Sequence, residues 1–487
     1  MQDKKQKVIS NFIWRFAERC GAQGVTFVVS VILARILDPD VYGTVALITV
    51  FITIMNVFVD SGLGNALIQK KDADDLDFST VFYFNVAMCC VLYLLMFAVS
   101  PLIAKFYDDM ELVPVIRALS LTIVISGVKN IQQAYVSRTM QFRKFFFSTL
   151  GGTIGAAVVG IAAALNGAGV WALVLQQLFN VTVDTCILWI TVKWRPKKMF
   201  SFQRLKGLFS YGWKLLVSTL IDTVYNDLRQ LIIGKIYTSS DLAYYNRGKQ
   251  IPHAVITNIN KSIDSVLLPT MSQEQDNKKR VKSMTRRAIK TSTYVIAPML
   301  MGICFCATPL IRLLLTEKWL PSVFYLRIFC ITYMFYPIHT ANLNAIKAMG
   351  RSDLFLKLEI IKKVVGLALL FSTMWISVEA MAYSLLVSSV LSQIINSWPN
   401  RKLLDYGYLE QLKDILPSIA LSVAMGFCIL PVTFLGLPDI ITLLIQIPLG
   451  VVVYVAGSKL FKLESFEYLW EIVKTKFLSK LKAKKNT

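Results

Sequence analysis

Apolar stretches of about 20 residues recur from one end of this chain to the other, separated by short polar segments. Each is long enough to cross a hydrocarbon core of ~30 Å as a helix. Fourteen spans are predicted, near residues 10–36, 41–65, 77–104, 112–136, 142–165, 168–192, 205–236, 241–271, 285–314, 321–347, 354–377, 379–398, 413–435 and 439–458. Alternate connections at 38–40, 166–169, 238–241 and 436–438 are only a few residues long, so that side has no room for a folded catalytic domain. The predicted fold is therefore an all-α membrane protein with 14 transmembrane helices.

Charge orients it. With the N-terminus inside, 35 of the 52 Lys and Arg fall in cytoplasmic segments, densest in 193–206 and 278–290, and five fall in or beside outer ones. The positive-inside rule then places both termini in the cytoplasm. The composition agrees with membrane residence: 55% hydrophobic, 17% charged, mean hydropathy +0.55. The formal charge of +22 sits in clusters between apolar segments, which suits an anionic leaflet and excludes a nucleic-acid role. Residues 464–485 alternate apolar residues with lysines and are predicted to lie on that leaflet as an interfacial helix. The eight cysteines lie inside apolar stretches and act as small hydrophobes; Cys304 and Cys306 would point to opposite sides of a helix, which gives no metal or disulfide set. Residues 10–37 are too long and too polar for a cleaved signal and are read as a retained first helix.

A repeat runs through the pattern. Leu33-Ala34-Arg35-Ile36-Leu37 precedes a short turn and Val41-Tyr42-Gly43. About 200 residues later, Ile233-Gly234-Lys235-Ile236-Tyr237 precedes a turn and Leu242-Ala243-Tyr244-Tyr245. Lys193-Trp194-Arg195-Pro196 and Ser397-Trp398-Pro399-Asn400-Arg401 close the sixth and twelfth spans. Six helices is an even number, so the two halves enter the membrane in parallel, as repeats with a pathway between them. The predicted divisions are a six-helix bundle over 1–198, a second over 199–402, a helix pair over 403–460 and a basic amphipathic tail over 461–487.

Twelve Lys and Arg remain inside spans, each costing ~2.5–3.5 kcal/mol at the bilayer centre. Arg117, Lys214, Lys362 and Lys363 lie near helix ends and can snorkel. Others align in stripes. Arg15, Arg19 and Thr26 share a face of the first helix, with Glu18 able to pair with Arg15. Thr49, Thr53, Asn56 and Asp60 share one on the second. Ser218, Asp222, Tyr225, Asn226 and Arg229 stripe the seventh; Asn246, Gln250, His253, Thr257, Asn260, Lys261 and Asp264 stripe the eighth, with Arg247 and Lys249 beside them. Lipid cannot satisfy such a stripe, so each must face a partner stripe or water. Either the stripes glue the bundles together or they line a hydrated, cationic cavity, and intramembrane charge favours the cavity. From 416 to 458 the only ionisable residue is Asp439, so the last helix pair faces lipid or a lipid tail.

The chain resembles the polysaccharide exporters of the Wzx type, in the multidrug/oligosaccharidyl-lipid/polysaccharide (MOP) flippase superfamily. The resemblance is carried by Ala34-Arg35-Ile36-Leu37-Asp38-Pro39-Asp40-Val41-Tyr42-Gly43, Asp60-Ser61-Gly62-Leu63-Gly64-Asn65-Ala66-Leu67-Ile68-Gln69, Gly167-Ala168-Gly169-Val170-Trp171-Ala172-Leu173-Val174 and Tyr244-Tyr245-Asn246-Arg247-Gly248. It covers the six-plus-six-plus-two layout and is nearest to colanic-acid and teichuronic-acid exporters. It implies a cytoplasmic-membrane protein that flips undecaprenyl-pyrophosphate-linked oligosaccharide outward by alternating access, without a cofactor other than a possible coupling cation. Related lipid II flippases use arginines on the first and eighth helices for the pyrophosphate, which points here to Arg15, Arg19 and Arg247. Lys249, Lys261 and Arg229 add cations, although lysine cannot bind phosphate bidentately. Asn56, Tyr225, Asn226 and Asn260 are the candidates for holding sugars. Asp60, Asp222, Asp264 and Glu18 are the candidates for ion coupling. Expected partners are the lipid-linked oligosaccharide, membrane lipids, and a polysaccharide polymerase with its chain-length machinery; the expected state is a monomer.

Two other classes fit less well. A cation-coupled multidrug antiporter of the same superfamily would favour acidic cavity residues, and these spans hold more Lys and Arg than Asp and Glu. A membrane glycosyltransferase or ligase would need an Asp-x-Asp loop, a large outer loop or a nucleophile–base pair. His253 and His339, the two histidines, both lie within spans and read as polar helix contacts.

Overall fold

A backbone in hydrocarbon must satisfy its own N–H and C=O groups, and these apolar stretches do so as helices. The computed structural model describes residues 2–60, 62–471, 474 and 475, with backbone alone for 2–13, 16 and 211. The helices are α1 (Gln2–Ile36), α2 (Pro39–Asp60), α3 (Leu63–Gln69), α4 (Asp75–Phe106), α5 (Leu112–Arg138), α6 (Arg143–Leu165), α7 (Val170–Thr191), α8 (Phe202–Ile236), α9 (Ser239–Gln273), α10 (Lys278–Phe305), α11 (Ala307–Leu315), α12 (Ser322–Met334), α13 (Tyr336–Ala348), α14 (Ser352–Thr373), α15 (Val378–Leu403), α16 (Tyr408–Ile429) and α17 (Asp439–Leu460). No strand occurs among the described residues. Among the described residues, ten helical segments are long and apolar enough to cross a membrane. α8 and α9 reach 35 residues each but fall short in hydropathy, because they carry the polar stripes.

Several predicted bounds need correction. The second span is not one helix: the chain passes Gly62 at φ 70°, and a Cβ there would meet the Gly212 backbone at 3.1 Å. Only glycine suits both conditions. The ninth begins at Lys278, well before 285, because the Asn277 side chain accepts the Arg280 N–H and caps it. The basic cluster 278–290 is therefore helical. The tenth breaks at Phe335, two residues ahead of Pro337. The first starts eight residues earlier, at Gln2. Within the predicted C-terminal interfacial segment, 464–471, 474 and 475 are helical; its other residues lie outside those described.

The chain forms two compact units, Met1–Ala243 and Tyr244–Thr487. The first takes in α8 and has a core of Leu63, Leu67, Phe78, Val81, Ile131, Val136, Leu188 and Trp194. Its predicted cytoplasmic end is clamped by ion pairs: Lys70–Asp77 at 2.6 Å, Lys197–Asp75 at 2.6 Å, and Arg204 to Asp74 and Asp77 at 3.6 and 3.5 Å. The Asp77 N–H bonded to Asp74 holds that exposed carboxyl below its usual range. Gly43 matters here too, since a Cβ would come within 1.7 Å of the Ser239 carbonyl oxygen. That glycine of the first motif is a helix-end contact.

The second unit joins α16 and α17 to α10. Tyr294 donates to Ser458 at 3.0 Å, and Tyr454 donates to the Tyr294 carbonyl at 2.8 Å. Arg286–Asp414 (2.7 Å) and Lys282–Glu410 (3.4 Å) tie the predicted cytoplasmic ends. Asn342 on α13, Asn400 on α15 and Gln411 on α16 are fully buried and bond one another at 2.6–3.0 Å.

Candidate substrate-binding and ion-coupling residues

On α1 the two arginines differ. Arg15 pairs with Glu18 at 2.7 Å, and its guanidinium lies over the Phe142 and Phe145 rings at 5.0 and 4.5 Å. Thr149 of α6 donates to the other Glu18 oxygen at 3.5 Å. Arg15 is thus neutralised and seated against α6. Arg19, one turn on, is exposed and has no hydrogen bond or ion pair among the described residues.

On α2, Asn56 is half-buried with its Oδ1 sealed from solvent and without a partner among the described residues. Asp60 is exposed and accepts the Asn130 amide at 3.1 Å. On α8, Asp222 and Asn226 are exposed, Tyr225 is half-buried and Arg229 is buried.

On α9, Arg247 is buried, stacks on Trp319 at 5.2 Å and donates to Gln250 at 2.8 Å. Lys249 is half-buried. Asn260 is buried, and neither amide atom has a partner among the described residues. Lys261 is exposed without an ion pair among them, and Asp264 accepts the Asn344 amide at 2.6 Å. His253 lies 3.4 Å from Thr257, and His339 meets Asn396 at 2.9 Å. Within each unit some candidate cations are held by protein groups, while one, Arg19 or Lys261, stands open.

Two features escaped the sequence reading. Lys129 of α5 pairs with Asp184 of α7 at 3.0 Å, with side chains 17% and 11% exposed. Asp184 is the one carboxylate in α7, a signal that was available. Breaking this buried pair leaves an uncompensated charge. Lys129→Met or Asp184→Asn should each destabilise by about 3–5 kcal/mol, and Lys129→Met with Asp184→Leu should recover most of it, read by thermal unfolding in detergent.

The other is a cavity of about 350 Å³ in the first unit, lined by Ser30, Thr49, Thr53, Gln177, Gln230 and Asp227 among others. Ser30, Thr49 and Thr53 spend their protons on the carbonyls of Phe27, Val45 and Thr49. Gln230 donates to Asp227 at 2.8 Å. The hydroxyls thus have lone pairs left to offer, and such a wall suits a ligand rich in donors. The adjacent Gln176-Gln177 pair in a mostly apolar helix was the legible sign.

Residues 32–324 match the model of a family described as "Polysaccharide biosynthesis protein". The chain is 24% identical over 374 residues to the teichuronic acid biosynthesis protein TuaB of Bacillus subtilis, covering 76% of this chain and 77% of that one. It is 22% identical over 443 residues to the lipopolysaccharide biosynthesis protein WzxC of Escherichia coli, covering 87% and 88%. Among solved structures, the lipid II flippase MurJ in an inward closed conformation shares the fold, with TM-score 0.73 at 16% identity over 93% of this chain and 98% of that one.

Proposed function

The chain belongs to the polysaccharide biosynthesis protein family, and from that premise we propose that it flips a lipid-linked oligosaccharide, of the undecaprenyl-pyrophosphate class, across the cytoplasmic membrane by alternating access. The observation that carries this reading is Arg19: an arginine on a spanning helix, exposed and without a counter-ion among the described residues. An arginine inside a span is costly unless it serves an anion or reaches water. Its planar fork matches a phosphate bidentately. In the other unit Lys261 is likewise an exposed cation without an ion pair among the described residues, offering a point charge. Arg15 and Arg247 are the weaker phosphate candidates, because each guanidinium already has a seat within its own unit, Arg15 on Glu18 and Arg247 over Trp319. The acceptor-rich wall around Thr49, Thr53 and Gln177 supports a role in taking sugar hydroxyls.

The same reading includes fourteen spans in two parallel six-helix repeats plus a helix pair, with both ends inside; the polar α8 and α9 then border water. The driving force is a coupled cation at Asp60, Asp222 or Asp264, or the membrane potential at ~2.3 kcal/mol per charge per 100 mV. Glu18 is the weaker coupling candidate, with both oxygens engaged. A flippase-null strain should regain surface polysaccharide when this gene is expressed. Continued build-up of lipid-linked repeat units on the cytoplasmic side would sink the assignment.

A further inference from the structure

In the second unit, α10, α16 and the turn after α17 enclose a cavity of about 600 Å³. Its lining has two layers. Lys290, Lys413 and Lys462 form the charged part, while Pro417, Ala420, Leu421 and Ala424 continue along α16 as an apolar wall. Two carboxylates also line it, and both are committed: Glu464 to Lys290, and Asp414 to Arg286 at 2.7 Å. Lys413 and Lys462 are exposed, with no ion pair among the described residues. Ser465, only 6% exposed, lines the cavity without a hydrogen-bond partner among those residues.

A free anion would find the cations but gain nothing from the wall. A neutral lipid would use the wall and leave the lysines idle. The two layers together suit a phosphate with an acyl chain attached. We propose that this cavity binds an anionic phospholipid, with Lys413, Lys462 and the Ser465 hydroxyl on the phosphate and an acyl chain along the 417–424 face of α16. The site joins three elements of the unit, so a bound lipid would brace the α16–α17 pair against α10. Placing the site in the inner leaflet rests on the proposed orientation; binding itself does not depend on the transport reading.

Lys462 offers a clean variant. Its φ is 49°, a left-handed conformation that favours glycine, so Lys462→Gly removes the charge without straining the turn. Purified full-length protein in uncharged detergent would be titrated with phosphatidylglycerol, phosphatidylcholine or inorganic phosphate, and occupancy read by native mass spectrometry. Phosphatidylglycerol should bind well ahead of the other two. Lys413→Gln and Lys462→Gly should each weaken it about fivefold, and the pair about 25-fold, with thermal stability in lipid-free detergent kept. Equal binding of phosphatidylcholine, equal binding of inorganic phosphate, or unchanged affinity in the double variant would each overturn the proposal. A chain that binds the lipid but flips nothing would instead count against the transport reading.

Discussion

Arg19→Ala should lower the rate of oligosaccharide-lipid flipping by about 30-fold or more while leaving the yield of folded protein intact. In the proposed substrate complex Arg19 and the pyrophosphate form a hydrogen-bonded charge pair, and losing about 2 kcal/mol from such a pair is already about 30-fold. The fold should not suffer, because Arg19 makes no hydrogen bond or ion pair among the described residues. Arg19→Lys should recover only part of the rate, since an ammonium keeps the charge but loses the bidentate fork. Arg15→Ala makes the contrast. It strips Glu18 of its 2.7 Å partner and empties the seat over Phe142 and Phe145. Its deficit should appear as lost folded protein, eased by Glu18→Gln. Flipping rate normalised to folded protein separates the two arginines; equal normalised rates for Arg19→Ala and wild type would remove Arg19 from the site.

The second large effect lies in the buried amide network of the other unit. Asn342 donates to Gln411 at 2.8 Å and to Ser397 at 3.2 Å, and accepts from Asn400 at 2.6 Å and Gln411 at 3.0 Å. All four residues are fully buried. Leucine at 342 would strand two or three polar groups, each costing about 1–3 kcal/mol, for a total of about 3–6 kcal/mol. That is a large share of an ordinary stability of about 5–15 kcal/mol. Asn342→Leu should therefore nearly abolish monodisperse protein on size exclusion. Adding Gln411→Leu should restore part of it, because removing both partners strands fewer groups. Wild-type behaviour of the single variant would mean that the network contributes little.

Much of the fold was legible because the bilayer sets span length and forbids unpaired backbone. The apolar stretches became helices, and the stripes of α8 and α9 are what keep them below the hydropathy of a spanning helix. Local breaks were less legible. Gly62 turns the chain inside an apolar run, and the Asn277 cap extends a helix through a basic cluster that reads as a loop. Partners were least legible. The Glu18 pair lies three residues from Arg15 and could be read, but its seat on Phe142 and Phe145 and the Asp184 partner of Lys129 depend on how helices pack. The Asn342–Gln411 bonds join residues 69 apart and leave no periodic trace. Sorting open cations from held ones therefore required coordinates: of Arg15, Arg19 and Arg247, Arg15 has an ion pair and Arg247 a hydrogen bond, while Arg19 has neither among the described residues.

Reconstituted transport tests the central claim most directly. Purified protein would be placed in proteoliposomes carrying an undecaprenyl-pyrophosphate-linked oligosaccharide labelled on its sugar, and the fraction reachable by an external glycosidase followed with time. The account expects labelled lipid from the inner leaflet to become accessible with wild-type protein and to stay protected with Arg19→Ala. Protection with wild-type protein equal to that of protein-free vesicles, with and without a membrane potential and a cation gradient, would contradict it.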